Sequence, residues 1–355
     1  MRFDLASRTE EDRWALDILE GLREVIVPHD GLLEQVIAQF PDDYKRLSAQ
    51  VDLLTGIDTG KYGERAAAIF NEWDDKNSWP SLAALQAFAF EQFNLPLDGA
   101  PARAALLAAV LGEVPNDLLY HGNVHYRKVM FHTIRLLATQ IDGNFPYQPL
   151  LYSEDLMKLL VAAVIHDLGH EGGDNLRNGI YTPGYMEQKS YDHARDYFET
   201  LGLDPDFARD VEALVFCTDI TFIAGDNSPC VRMKKIYRHF FLGGLGDSDE
   251  IENMLIGKMR RFEDNPRLSI MAMLLHEADI ATSAGMTYEV SKSETVKIMQ
   301  EFELDIAGPG VLLKFMKEQL GGSMVTPAAQ QIFGAQMEEI MRQASADLAS
   351  GVEKF

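Results

Sequence analysis

Leu159-Leu160-Val161-Ala162-Ala163-Val164-Ile165 runs directly into His166-Asp167-Leu168-Gly169-His170-Glu171-Gly172-Gly173-Asp174-Asn175. Seven apolar residues lead to an adjacent His-Asp pair, and glycines follow at once. Ala-rich apolar runs of this kind favour helix over strand, and the glycines end the helix and free the backbone. The stretch therefore reads as a buried helix whose end carries an imidazole and a carboxylate to an opening. Both are ligand types of divalent cations. Taken alone, the pair fits a capped helix end with a satisfied histidine equally well.

The rest of the chain supplies matching residues on both sides. Upstream, Tyr120-His121-Gly122-Asn123-Val124-His125 puts two histidines four apart, which in a helix share one face. Downstream, Leu274-Leu275-His276-Glu277-Ala278-Asp279 ends another apolar run in His and Asp three apart. Five of the nine histidines (His121, His125, His166, His170 and His276) fall in these three short segments. Three apolar helices that carried them inward without a shared purpose would bury several unpaired imidazoles and carboxylates, which is costly.

The ordered set H-x-x-x-H, H-D-x-x-H and H-x-A-D resembles the catalytic domain of class I cyclic nucleotide phosphodiesterases, within the wider HD phosphohydrolase superfamily. The likeness covers roughly Asn116 to Ser345. Tyr-His-Gly-Asn-Val-His is similar to the family's Y-H-N-x-x-H, and His166 to Asn175 to its H-D-x-D-H-P-G-x-x-N. Thr218-Asp219 matches its T-D, and His276 to Ile280 its H-x-A-D-L/I. Gly122 stands where the family usually has Asn, and Lys128 where it usually has Asp.

The resemblance implies a division of labour. His125, His166, Asp167 and Asp279 would hold a tighter metal, Zn2+ or else Fe or Mn2+. Asp167 would bridge to a second, Mg2+ or Mn2+, held largely by waters that His170 and Glu187 orient. A hydroxide shared by the metals would attack phosphorus, and His121 would protonate the departing ribose oxygen. The implied activity is hydrolysis of 3′,5′-cyclic nucleotides, cAMP or cGMP, to 5′-monophosphates. Another phosphate ester, or a catalytically weak metal-binding regulatory domain, is the alternative. For Glu187, the plain reading of a first-turn glutamate favoured by the helix dipole stands beside the functional one. Tyr120 matches a tyrosine lining the family's substrate pocket and equally suits a core. Gln330 and Phe333, three apart on the final helix, match a glutamine and phenylalanine that select and stack a purine. Gln331 or Gln336 could take the amide's part.

Composition bounds the rest. The chain has 355 residues, 46% hydrophobic and 25% charged, enough for one large helical domain or a domain with an extension. The net charge of −23 repels polyanions, so nucleic acid is not an expected partner. No apolar run approaches a membrane span, the start lacks a signal-peptide core, and Cys217 and Cys230 make no disulfide framework. These features predict a cytoplasmic protein acting on a small molecule, with a homodimer open. Residues 1–115 read as a helical extension of unknown role and 116–355 as the catalytic domain. In the extension the patterning predicts helices over 10–27, 32–40 and 44–54, with Pro41-Asp42-Asp43 as a break and His29 alone on the surface. Ser81 is expected to cap a helix through Phe93. The first catalytic helix is expected to run from Asn116 or Asp117 to about Gln140, and 224–249 to form a long connection with short helices. His132 reads as structural, His193 as an exposed helix residue and Asp174 as loop chemistry. Strand signals are almost absent, so the fold class is all-α, a compact multi-helix domain of the HD type.

Overall fold

The computed structural model describes residues 38, 40–57, 60–143, 145–221, 225–243 and 248–355. The helix expected over 10–27, most of that over 32–40, and His29 lie outside the described residues. What is described is all-α. Its β structure is one antiparallel ladder of two-residue strands, β1 (Leu176–Arg177) and β2 (Ile180–Tyr181), with Leu176 opposite Tyr181. No helix among the described residues is long and apolar enough to cross a membrane.

The early helices are α1 (Pro41–Ser48), α2 (Val51–Thr55), α3 (Tyr62–Asp75), α4 (Leu82–Gln92) and α5 (Gly99–Gly112). Pro41 opens α1, because the first helical position needs no N–H donor, so Asp42 and Asp43 lie inside a helix and not in a break. Ser81 caps α4 as expected, its hydroxyl accepting from the Ala84 N–H at 3.2 Å. Gly112 marks where α5 crosses its neighbours: a Cβ there would stand 2.6 Å from Leu82 and 2.8 Å from Val164.

The central layer is α6 (Asn123–Asp142), α7 (Ser153–Ile165) and α12 (Pro266–Ala284). Helix α6 packs on α7 and α12, and α5 covers α7 from the other side. Helix α12 is apolar almost all round and buried from Leu268 to Ala278, as a helix without a polar face must be. Helix α6 instead buries polar residues that find partners. His132 is fully buried, with Nδ1 2.9 Å from the Tyr62 hydroxyl of α3 and Nε2 3.0 Å from the Thr282 hydroxyl of α12. Burial, helped by the positive charge of Lys128, pushes its pKa down to about 3, so the neutral ring donates at one nitrogen and accepts at the other.

Around this layer stand α8 (Tyr185–Thr200), α9 (Pro205–Phe216), α10 (Pro229–Leu242), α11 (Ser248–Met254), α13 (Tyr288–Glu301) and α14 (Pro309–Lys314). Helix α10 is longer than the short helices expected over 224–249: Pro229 starts it at N1 and Cys230, Met233, Ile236 and Tyr237 bury one side. From Pro327 the chain is helical to Ala349, with a π-turn at Gln330–Gly334 and α15 (Ala335–Ala349) beyond it. Its entry is fixed by buried Glu277 of α12, which accepts from the Val325 and Thr326 N–H groups and the Thr326 hydroxyl.

Lys128, the unexpected cation of the first motif, lies buried between α6 and α13. It reaches Glu294 at 3.0 Å, and Lys297 reaches the same oxygen at 2.9 Å. Burial works against the Glu294 charge, but the two lysines hold its pKa below the ordinary value. Breaking a buried pair leaves an uncompensated charge and typically costs ~3–5 kcal/mol. Lys128→Ala should therefore lower unfolding stability in urea by about 3 kcal/mol, the low end, because Lys297 still faces Glu294. Lys128→Met combined with Glu294→Met should recover most of that loss.

Candidate active site

Helix α7 delivers the central pair as the sequence pattern implies. His166 is its C-cap, and Asp167 begins the turn that follows. Gly169 closes that turn at φ 69°, and a Cβ there would lie 2.6 Å from the His193 ring of α8. His193 thus packs, half-buried, over the turn instead of standing exposed on its helix. The turn's carbonyls are gripped from α6 and its approach: the Tyr126 hydroxyl donates to Asp167 O at 2.7 Å, and the Asn116 amide to His170 O at 3.2 Å.

Three helices bring four side chains to one point. His125 Nε2 lies 3.1 Å from Asp279 Oδ1, 3.4 Å from Asp167 Oδ2 and 3.3 Å from His166 Nε2. His166 Nε2 lies 3.2 Å from Asp167 Oδ2 and 3.6 Å from Asp279 Oδ1. The His166 Nδ1–H donates to Ala163 O at 3.0 Å, which turns the Nε2 lone pair toward the cluster. Two buried imidazole nitrogens that face each other between two carboxylates need positive charge among them. Burial alone would raise Asp167 and Asp279, yet the neighbouring imidazoles hold both below the ordinary carboxylate range. A two-histidine, two-carboxylate donor set fits a divalent transition metal.

His276, which shares its motif with Asp279 but stands outside the expected ligand set, packs against Cys230. Its Nδ1 lies 3.5 Å from the Cys230 thiol. His121 departs from expectation. Helix α6 starts only at Asn123, with Gly122 as its N-cap, so His121 precedes the helix that carries His125. Asn123 enforces this: its amide donates to the Gly112 and Val114 carbonyls at 2.7 and 2.9 Å and its oxygen accepts from the Asn116 N–H at 2.7 Å. That clamp bends 116–122 into a tight approach segment.

His121 is held there by Glu301 of α13. One carboxylate oxygen meets His121 Nδ1 at 2.5 Å, and the other accepts from the Tyr120 and His121 N–H groups at 2.8 and 3.1 Å. Burial opposes the Glu301 charge, but the His121 hydrogen bond prevails and lowers its pKa. His170 stacks on His121, ring centroids 4.1 Å apart and 20° between planes. His170 Nδ1 accepts from the Gly172 N–H at 3.0 Å, and burial with the His121 charge pushes its pKa down to about 4. His121, His170 and Glu301 lie close enough to suggest a second metal cluster. The near-parallel rings argue against one, since their in-plane lone pairs do not converge.

His121 and His170 line a cleft together with Tyr120, Asp167, Asp174, Glu187 and Asp279. The Tyr120 hydroxyl meets Ser283 Oγ at 3.1 Å, and its ring lies over His125, centroids 5.0 Å apart. Glu187 is buried; Oε1 accepts from the Asn175 amide at 3.3 Å, while Oε2 lacks a hydrogen-bond partner. Burial and the Asp219 charge raise its pKa well above the ordinary value. An orphaned, buried carboxylate oxygen beside Asp167 and Asp219 is a place that suits a cation or its waters. Asp219 itself is committed to scaffolding, accepting from the Tyr181 hydroxyl at 2.7 Å and the Gly184 and Thr221 N–H groups, each at 2.9 Å.

Gln330 and Phe333 are not at this cleft. Phe333 is fully buried in the core, edge-on to Tyr62 at 5.5 Å and to His132 at 5.8 Å. The Gln330 amide donates to Met324 O. The π-turn in which both sit turns Phe333 to the back of α6 and leaves Gln330 exposed. The base pocket they were expected to build has in its place Ile298 and Met299 of α13, Phe302 at the C-cap of that helix, Leu312 of α14 and Phe315 just beyond.

The chain is thus an all-α protein with a two-histidine, two-carboxylate cluster at the floor of a cleft. No family model matches it, and no curated protein does. Solved structures to which it is similar include phosphodiesterase domains. The phosphodiesterase domain of the RhoPDE fusion protein from the choanoflagellate Salpingoeca rosetta is 19% identical, covering 76% of this chain and 89% of that one at a TM-score of 0.46. LmjPDEB1, solved in complex with IBMX, is 14% identical, covering 87% of this chain and 98% of that one at a TM-score of 0.49.

Proposed function

We propose that the chain is a metal-dependent phosphodiesterase that hydrolyses 3′,5′-cyclic nucleotides to 5′-monophosphates. The observation that carries this reading is the meeting of His125, His166, Asp167 and Asp279 within 3.1–3.6 Å, beside a carboxylate-backed imidazole outside that set. The four would hold the first cation, Zn2+, Fe or Mn2+ by donor type. Asp167 would also face a second, Mg2+ or Mn2+, with Glu187 and His170 oriented toward its waters. Once bound, such cations supply positive charge for phosphate oxygens and lower the pKa of water. That charge matters in a chain of net charge −23, whose overall field repels a phosphate ester.

The protein's own share is proton transfer and positioning. With Nδ1 tied to Glu301, His121 keeps Nε2 for the departing alkoxide and donates its proton there. Glu301 fixes that orientation and compensates the charge of the imidazolium. His170, kept neutral, packs against the ring without competing for the proton. Tyr120 closes the side of the cleft next to His125. The buried free thiols Cys217 and Cys230 fit a reducing cytoplasm.

The test is an assay of the purified chain on cAMP, cGMP and bis(p-nitrophenyl) phosphate with Mn2+ or Mg2+. Hydrolysis that EDTA abolishes and Mn2+ restores is expected. No turnover of any ester with either metal would favour a metal-binding regulatory domain instead. One observation supports hydrolysis of a different phosphate ester as a second reading: among the described residues lining the cleft there is no glutamine to read a purine.

A further inference from the structure

We infer that this cleft grips the alcohol half of its ester by apolar contact and does not read the hydrogen-bonding edge of a base. The inference rests on the phosphoester reading above and concerns what that site selects. The cleft lined by Asp167 and Asp279 is also lined by an apolar wall, Ile298, Met299, Phe302, Leu312 and Phe315. Leu312 and Phe315 have the spacing of three expected of a base-reading pair, with a branched alkyl group in place of the amide.

The polar groups near that wall already have partners. Thr295 Oγ donates to Ser291 O at 2.7 Å. Ser283 is engaged with the Tyr120 hydroxyl at 3.1 Å, and the Glu294 oxygen that faces Lys128 at 3.0 Å also meets Lys297 at 2.9 Å. Among the described residues lining the cleft, one carries a side-chain amide, Asn175. Its oxygen accepts from the Met186 N–H at 2.7 Å, and its nitrogen donates to Glu187 at 3.3 Å and Thr221 at 3.2 Å. A purine edge placed against this wall leaves donors and acceptors unanswered, which weakens binding. A flat apolar group loses nothing there and gains by leaving water. Adenine and guanine differ at the edge that the wall cannot sense, so the site treats them alike.

Calorimetric titration of the full chain loaded with Mn2+ tests this with four monoesters: 2-naphthyl phosphate, methyl phosphate, AMP and GMP. The naphthyl ester should bind at least about tenfold tighter than the methyl ester, and AMP and GMP should agree within about threefold. Phe315→Ala should remove most of the naphthyl advantage and leave methyl phosphate unchanged. Leu312→Met, which keeps the wall apolar, should preserve that advantage. A ratio of AMP to GMP affinity beyond about thirtyfold, or a naphthyl ester no tighter than the methyl ester, overturns the inference. The two readings fail separately. Absence of turnover on every diester, with the naphthyl preference intact, removes the hydrolase and keeps the apolar grip. Turnover with strong preference for one purine does the reverse.

Discussion

Asp279→Ala is expected to leave the protein folded, without metal at the four-residue cluster, and without measurable phosphodiesterase activity. Asp279 is the one cluster member contributed by α12, and its Oδ1 approaches both imidazoles, His125 at 3.1 Å and His166 at 3.6 Å. Its removal takes away a negative charge and a donor at once. The loss should exceed the ~10–100-fold that follows when a mere hydrogen-bonding partner of a ligand is removed. Elemental analysis of the purified variant, beside its circular dichroism, decides the matter. A folded Asp279→Ala protein with full metal content would refute the ligand assignment. Asp167→Ala should behave alike, because its carboxylate touches the same two imidazoles at 3.4 and 3.2 Å.

His121→Ala is expected to retain its metal and to lose about 10²–10⁴-fold in turnover of a substrate with a poor leaving group. The ring lies outside the four-residue cluster, so metal content should not follow it. The deficit should shrink on bis(p-nitrophenyl) phosphate, whose leaving group needs little protonation. Glu301→Gln supplies the complementary measurement. It keeps the backbone contacts to Tyr120 and His121 within reach but withdraws the charge behind the ring. It should lower turnover less than His121→Ala and leave metal content unchanged. Equal losses by His121→Ala on both substrates would mean that His121 is not the proton donor.

The part of this site that could be read in advance lies where chain pattern and chemistry coincide. The apolar run into His166-Asp167, with Gly169 after it, states both a buried helix and its end. The run into Asp279 states a second such helix. Periodicity puts His121 on the helix of His125, because it cannot see the Asn123 clamp that starts α6 late. Glu301 is hard to read from sequence because its partner lies 180 residues earlier in the chain. The one local hint is a carboxylate at the last position of α13, where the helix dipole disfavours negative charge. Asp174 lines the cleft although its loop gave no reason to single it out. Spacing and chain order point to Gln330 and Phe333, and a π-turn is invisible to both. The wall that takes their place is apolar, and apolar residues at helical spacing look the same in a core as in a cleft.

The contact of His132 with Tyr62 on one side and Thr282 on the other has a consequence for how this fold can change over generations. Seven residues after the ligand His125, the same helix is tied to α3, far earlier in the chain, and to α12, which carries Asp279. Each of the three residues satisfies a buried polar group on another, so none can be exchanged without stranding a neighbour. Drift that is harmless one position at a time elsewhere must here occur in concert. The early helices are therefore not a free appendage that recombination could replace at will. An ancestor that acquired a different early segment would have had to re-solve the back of the metal-bearing helix as well.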